Sequence, residues 1–234
     1  TMGHTDRTAP SETSDQSRYV IRAGELAHDS YELDLTPERA GWEWSSLRVV
    51  ALAPGVSLTV PAGEHEYLVL PLSGGCTVQA GGESLEVAGR ESVFTDITDY
   101  VYVPRRTEVT LTSAGGARIA LPGSKATTDK PLRYCPRSEV GTGLRGAGPS
   151  SRQVNNYSLA VEGVITSHLL ACEVITPGGN WSSYPAHKHE QDSEDERELE
   201  EIYYFEIEDG PEGSKGFGLH RTYGSPGRPI DLCC

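Results

Sequence analysis

The sequence predicts an all-β fold made of two jelly-roll β-barrels, and three features favour this fold. The 234-residue chain contains 26 glycines and 15 prolines at a hydrophobic content of 36%, a mixture typical of turn-rich sheet proteins rather than helical bundles. Short apolar stretches recur between Gly, Pro, Asn and Asp residues, as strands do between turns. The two halves of the chain also resemble each other, which indicates a duplicated unit.

The first set of short strands starts near Trp44 and ends near Leu121. Gly81-Gly82, between two alternating runs, predicts a two-residue hairpin turn. The segment "TPERAG" (36–41) predicts a single helical turn. The predicted strands are "LRVVAL", "SLTV", "EYLVLPL", "CTVQA", "ESLEVA", "DYVYVP", "EVTLTS" and "ARIAL".

Composition divides the chain into four regions. Residues 1–18 are polar and predict a mobile N-terminal segment. Residues 19–122 form the first predicted barrel, 123–152 a linker rich in Gly, Pro and Arg, and 153–234 the second barrel. The strands predicted in the second barrel are "SLAVEG", "HLLACEVI", "EIYYFEI" and "GFGLHRTY".

The internal repeat is carried by two pairs of segments. "VVALAPG" (49–55) and "ACEVITPG" (171–178) are both strands that end in Pro-Gly, and "EYLVLPLSGG" (66–75) parallels "EIYYFEIEDG" (201–210). An acidic run separates the two segments only in the second copy. Fewer residues follow the second match than the first, so the second barrel is predicted to be truncated at its C-terminus.

Charge and composition exclude several classes of partner. The net charge of −14 argues against nucleic acid and anionic membranes. The polar N-terminus does not resemble a signal peptide, and no apolar run approaches the length of a membrane span. Five irregularly spaced cysteines suit reduced thiols better than a disulfide framework. The sequence therefore predicts a soluble, cytoplasmic protein.

The stretch "PAHKHEQDSEDERELEEIYYFEI" predicts a metal site. His187 and His189 share one face of a strand, because side chains alternate with period two, and a carboxylate on the next strand can complete a site for Zn²⁺, Mn²⁺ or Fe²⁺. Only one of Glu200 and Glu201 can face the histidines, and Glu201 is favoured because it leads directly into the apolar alternation. The alternative is a surface loop beside a solvated charge run. The matching region of the first barrel has only His65, which predicts a metal-free unit.

Several motifs together resemble the 5-deoxy-glucuronate isomerase family of inositol catabolism. This family consists of bicupins, proteins with two cupin barrels, related to the uronate ketol-isomerases of pectin breakdown. Residues 70–111 resemble its N-terminal half. The motifs are "RGAGPSSRQVNN" (145–156), "CEVITPGGNWSSYPAHKHE" (172–190), "LEEIYYFEI" (199–207) and "GFGLHRTY" (216–223).

The resemblance implies conversion of 5-deoxy-D-glucuronate to 5-dehydro-2-deoxy-D-gluconate, an aldose–ketose isomerisation. It also implies a divalent metal in the second cupin, with Zn²⁺ first and Mn²⁺ or Fe²⁺ as alternatives. His187, His189 and Glu201 match the first three ligands of the family pattern. The fourth, a histidine on a late strand, is expected beyond residue 234.

This reaction needs a Lewis acid, a base and a cation for the substrate carboxylate. A divalent ion that binds both oxygens stabilises the enediolate charge. Glu200 and Tyr184 are the candidate bases. Arg152 and then Arg221 are candidates for binding the carboxylate, because a guanidinium matches it in shape; both arginines can equally be structural caps.

Two other functions remain open at this stage. Two histidines and one carboxylate also suit a non-haem Fe(II) dioxygenase, which needs oxygen where an isomerase does not. A non-catalytic cupin that binds a metal or a sugar acid is the third candidate. A sheet edge exposed where strands are missing favours a homo-oligomer, since a second copy can cover it.

Overall fold

The computed structural model of the chain describes residues 19–158, 165–224 and 231–233. The segment 1–18, predicted to be mobile, lies outside the described residues. Of the described residues, those within 26–204 form one compact unit, and those within 19–25 and 205–233 form the other. The domain boundaries at 122 and 153 stay a prediction.

The larger unit is built on a nine-stranded antiparallel sheet. Six of its strands follow the order β1-β2-β8-β4-β6-β9, while β7 joins β3 to β4 and β5 also pairs with β4. The strands are β1 (Tyr31–Leu35), β2 (Ser45–Leu52), β3 (Ser57–Val60), β4 (His65–Ala80), β5 (Glu83–Arg90), β6 (Tyr100–Val103), β7 (Val109–Thr112), β8 (Ala117–Lys125) and β9 (Arg133–Cys135).

Strand β4 belongs to both layers of this sheet. Its first part pairs with β6 and β8, and its last part pairs with β5 and β7. The sequence predicted two strands here with a break at Gly74-Gly75, whereas the structure has one strand whose register with its neighbours shifts around Gly74. Gly74 has φ 72°, and a Cβ there would lie 2.4 Å from the carbonyl oxygen of Gly116. The glycine therefore allows the strand to bend rather than end.

Two apolar clusters bury both faces of the main layer. Val50, Val69 and Leu111 belong to the cluster between the two layers, and each is 0% exposed. Leu68 and Tyr102 belong to the cluster on the opposite face, which includes residues of the second half of the chain. Burial on both faces explains the nearly continuous apolar runs in these strands.

Short turn signals in the sequence are confirmed by the structure. The helical turn α1 (Pro37–Ala40) begins after Thr36, whose side chain accepts a hydrogen bond from the Arg39 N–H, and ends at Gly41 in the left-handed conformation. Gly81 and Gly82 connect β4 to β5 with φ of 58° and 83°, as a two-residue hairpin requires.

The second half of the larger unit contributes a separate three-stranded sheet. Strands β10 (Gly141–Arg145), β11 (Arg152–Asn156) and β12 (Cys172–Ile175) pair in chain order. Strands β9 and β10 lie in the range predicted to be a linker. The prediction of a strand at 201–207 is wrong, because the structure assigns no strand to these described residues. Alternation identifies a segment that can lie on a sheet, but a strand also requires a ladder of hydrogen bonds.

A buried ion pair fixes β12 to the nine-stranded sheet. The Arg90 side chain is fully buried, and its Nη1 and Nη2 donate to the Glu173 carboxylate at 2.9 and 2.6 Å. Glu173 also accepts from the Asn155 amide at 3.0 Å. Buried charges are stable only when they are paired and hydrogen-bonded, so this pair holds β12 in one position against β5. The chain continues from β12 into the histidine segment.

In the smaller unit, β13 (Arg221–Tyr223) pairs antiparallel with β14 (Asp231–Cys233). The Lys215 ammonium lies 2.7 Å from the Asp209 carboxylate, and a 3-10 turn spans Pro211–Gly213. No helix within the described ranges has the length and apolarity needed to cross a membrane. The described part of the second half thus forms small sheets, and a closed second barrel stays a prediction.

Acid is expected to destabilise the larger unit through His65 on β4. Burial lowers the pKa of His65, the nearby Arg48 and Lys125 lower it further, and Glu38 opposes them. The unfolded chain then binds a proton more readily than the folded one. Stability is therefore complete above the ordinary pKa of about 6.5 and declines as pH falls below it.

The measurement is the free energy of urea unfolding at about pH 7.5 and about pH 5.5, in chelator so that metal release does not contribute. His65→Gln is expected to reduce the loss at low pH. His28→Gln is the control of opposite sign, because the hydrogen bond to Asp34 raises the pKa of His28 and its stabilisation is lost as pH rises. Equal pH dependence of wild type and His65→Gln would contradict the prediction.

Candidate metal centre

His187, His189 and Glu201 come together in the larger unit. One ligand atom from each residue lies within 4.8 Å of the others, and His189 Nε2 is 4.0 Å from Glu201 Oε2. The centres of the two imidazole rings are 5.1 Å apart, and the ring planes make an angle of 81°. Ligands in a tetrahedral zinc site lie about 2 Å from the ion and therefore about 3.3 Å from one another, so these side chains would need to move inward by roughly 1 Å to bind one ion together.

The histidine segment differs in conformation from the sequence prediction. No strand is assigned between Ile175 and Glu201 in this fully described stretch. The Leu199 N–H instead donates to the His189 carbonyl oxygen at 3.4 Å, a single contact of antiparallel type. In that register His187 stands opposite Glu201, and opposite residues place their side chains on the same face.

The acidic run between these segments is an ordered loop organised by Glu196. Its carboxylate accepts from the N–H groups of Glu190 at 2.6 Å and Gln191 at 3.2 Å, and it lies 3.2 Å from the Lys188 ammonium. Burial alone would raise the pKa of Glu196, but these contacts together lower it below the ordinary value. The run is a loop, and no helix is assigned to 190–200.

This loop also orients His189. The imidazole Nδ1 lies 3.1 Å from the carbonyl oxygen of Arg197, and because a carbonyl only accepts, Nδ1 is the donor. In the neutral ring the unprotonated nitrogen is then Nε2, the atom that faces Glu201. A histidine that binds a metal commonly has this arrangement, with its other nitrogen donating to a backbone carbonyl.

Glu200 faces away from this cluster. Its Oε1 accepts from the Glu43 N–H at 2.8 Å, and its Oε2 accepts from the N–H groups of Trp44 and Ser45 at 2.9 and 2.7 Å. The sequence predicted Glu200 as a base. A carboxylate whose two oxygens are occupied by three amide donors of another segment does not suit that role.

The other predicted residues lie at distinct places. Tyr184 is 64% exposed. Arg152 is on β11, and its Nη1 donates to the Ser150 carbonyl at 3.0 Å. The segment that leads to His187 is bound next to Arg152, because the Asn180 amide donates to the Ser151 carbonyl at 2.8 Å. Arg221 belongs to the smaller unit, where its guanidinium lies 5.2 Å from the centre of the Tyr223 ring.

Sequence reasoning missed Tyr203. Burial raises the pKa of Tyr203 to about 12, assisted by the Glu201 carboxylate and reduced by a hydrogen bond with Ser183. The phenol is thus protonated at neutral pH and available to donate to Glu201. Period-two alternation from Glu201 could have identified it, since Tyr203 is the next residue on that face.

The matching region of the first half has a structural carboxylate. Glu66 is 0% exposed, and it accepts from the Tyr102 hydroxyl at 2.7 Å and from three backbone N–H groups at 167–169. Among the described residues, His187, His189 and Glu201 are the one group of three such side chains with this spacing.

Residues 19–234 match the family model described as KduI/IolB. The chain belongs to the KduI/IolB family. A member named 5-deoxy-glucuronate isomerase from Geobacillus kaustophilus is 35% identical over 218 residues, which cover 92% of this chain and 76% of that protein. The protein of the same name from Bacillus subtilis strain 168 is 33% identical over 219 residues, covering 92% and 77%.

A solved KduI/IolB-type structure is also similar to this fold. The crystal structure of an IolB-like protein from Salmonella typhimurium superposes with a TM-score of 0.75 at 26% identity, and the match covers 89% of this chain and 78% of that one. The mostly β architecture predicted from the sequence is confirmed.

Proposed function

We propose that this KduI/IolB family member is an aldose–ketose isomerase that converts 5-deoxy-D-glucuronate to 5-dehydro-2-deoxy-D-gluconate. The observation that carries the proposal is the convergence of His187, His189 and Glu201. The names of the relatives, which match over most of this chain, supply the substrate. Isomerisation between adjacent carbons needs no redox cofactor.

The donor set fits a divalent ion. Two imidazoles and one carboxylate suit Zn²⁺, Mn²⁺ or Fe²⁺, and the hydrogen bond from His189 Nδ1 to the Arg197 carbonyl holds the ring as a ligand requires. When bound, the ion would supply Lewis acidity for the negative charge of the enediolate. Zn²⁺ is our first choice, as it was from the sequence.

Other residues of the chain would bind and protonate the substrate. Arg152 is our first candidate for the substrate carboxylate and Arg221 the second. Tyr184 stays the candidate base, and the protonated phenol of Tyr203 keeps the Glu201 carboxylate oriented by donating to it. Glu200 is left out of the acid–base chemistry because its oxygens accept the backbone N–H groups of 43–45.

The proposal also includes the bicupin arrangement. The first cupin, 19–122, would be structural and metal-free, and the second, 153–234, would contain the metal centre. The predicted cytoplasmic location and the homo-oligomer belong to the same proposal. The net charge of −14 supports a small-molecule partner over nucleic acid.

Turnover of 5-deoxy-D-glucuronate under argon, with metal content measured on the same sample, is the test. We expect turnover that a chelator abolishes and that Zn²⁺ or Mn²⁺ restores. Turnover of a sugar acid that requires oxygen would identify a dioxygenase instead. About one metal per chain without turnover, with or without oxygen, would favour a non-catalytic cupin.

A further inference from the structure

We propose that Glu200 is a positioning residue that sets the Glu201 carboxylate against His187 and His189. This inference rests on the proposed metal function of those three side chains. It assigns the first acid of the Glu-Glu pair a task that requires no contact with a metal or a substrate.

The contacts of Glu200 are made with the start of a core strand. Its two carboxylate oxygens accept three backbone N–H groups, from Glu43, Trp44 and Ser45, at 2.7–2.9 Å. The Ser45 hydroxyl also donates to the Glu200 carbonyl at 3.3 Å. Hydrogen bonds to a charged acceptor are roughly twice as strong as neutral ones, so this side chain is tied firmly to the start of β2.

That tie determines where the next side chain points. Neighbouring residues in an extended chain place their side chains on opposite sides. With Glu200 held by residues 43–45, Glu201 is directed to the other side, where His189 Nε2 lies 4.0 Å away. Other restraints nearby are the 3.4 Å bond from the Leu199 N–H to the His189 carbonyl and the 3.1 Å bond from the Glu198 N–H to the Asp192 carboxylate. Neither involves the side chain of Glu200 or Glu201.

A matching contact in the first half shows what is specific to Glu200. Glu66 accepts three backbone N–H groups at 167–169 at 2.7–2.8 Å. When the two Pro-Gly turns of the repeat are aligned, 167–169 stand opposite 44–46, one residue past the donors to Glu200. Glu66 is likewise the counterpart of Glu201, one residue past Glu200, so each half binds the other through neighbouring positions of the repeat. Glu66 precedes Tyr67, whereas Glu200 precedes a carboxylate that faces two histidines. Only the second contact can therefore control a metal ligand.

The test is Co²⁺ binding to the chain with Glu200→Gln, measured by titration and by the visible absorption spectrum of the bound ion. Glu200→Asp, which keeps the charge on a shorter side chain, is a second variant that preserves folding more readily. Glu198→Gln removes one negative charge from an exposed position near the site and is the matched control. Circular dichroism without metal confirms that each variant is folded.

We expect Glu200→Gln to weaken Co²⁺ binding by about 10- to 100-fold, the range found for residues that support a metal ligand, and to alter the spectrum. Glu200→Asp should be intermediate, and Glu198→Gln should stay within about twofold of wild type. Wild-type affinity and spectrum in folded Glu200→Gln or Glu200→Asp would overturn the positioning role, as would equal weakening by Glu198→Gln. Failure of the wild-type chain to bind Co²⁺ would overturn the metal site itself, and the inference with it.

Discussion

Replacing His189 by Gln is expected to remove metal from the protein. Purified wild type should contain about one divalent ion per chain, and the variant only a trace. Loss of a ligand should weaken binding by more than about 100-fold, because residues that merely support a ligand already cost up to that factor. The measurements are metal content by elemental analysis and the affinity for added Zn²⁺. Turnover of 5-deoxy-D-glucuronate should disappear together with the ion.

His28→Gln is the control for this experiment. It also removes one histidine from the larger unit, but His28 pairs with Asp34 at 3.1 Å and is not part of the cluster. This variant should retain wild-type metal content. Stoichiometric metal bound at wild-type affinity in His189→Gln would contradict the prediction, because the ion would then be bound at a site that does not include His189.

Replacing Glu66 by Gln is expected to lower the free energy of unfolding by about 2 to 4 kcal/mol, because hydrogen bonds to a carboxylate are weakened and buried donors lose their acceptor. The fully buried carboxylate accepts from Tyr102 and from the N–H groups of 167–169. Gln has an NH2 group in place of one carboxylate oxygen. This NH2 group would face some of the N–H and O–H groups that donate to Glu66, and they would lose their acceptor. Urea unfolding measures the change, and hydrogen exchange at 167–169 should accelerate.

Two further variants define what the Glu66 result means. Glu83→Gln removes a carboxylate from the exposed end of the β4–β5 hairpin and should change stability by no more than about 0.5 kcal/mol. Tyr102→Phe removes one of the four donors and should cost about 1 to 2 kcal/mol. If Glu66→Gln lowered the free energy of unfolding by less than about 1 kcal/mol, Glu66 would not be a contact that stabilises the two halves against each other.

Much of the candidate site could be predicted from local sequence. The spacing of His187 and His189, followed by a carboxylate at the start of an alternating run, indicated the cluster that the structure brings together. The choice of Glu201 over Glu200 followed from alternation alone. The Gly81-Gly82 turn and the helical turn after Thr36 were predictable for the same reason, because backbone conformation there depends on a few adjacent residues.

The role of Glu200 could not be predicted in this way. Its three donors lie at 43–45, and the donors to Glu66 lie at 167–169; in both cases the partners are backbone N–H groups, which every residue except proline possesses. Nothing in the sequence marks one such group from another. The bend of β4 at Gly74 and the ordered loop around Glu196 similarly depend on neighbours that only the folded chain provides.

The sequence by itself therefore determined the fold class, the family resemblance and the residues able to bind a metal, since each of these depends on side-chain chemistry and on spacing along the chain. The tertiary structure decided which backbone groups hold Glu200 and Glu66, where β4 bends and which segments become strands. The physical reason is that backbone hydrogen bonds between distant segments have no residue-specific signature, so they can be assigned only once the segments lie beside each other.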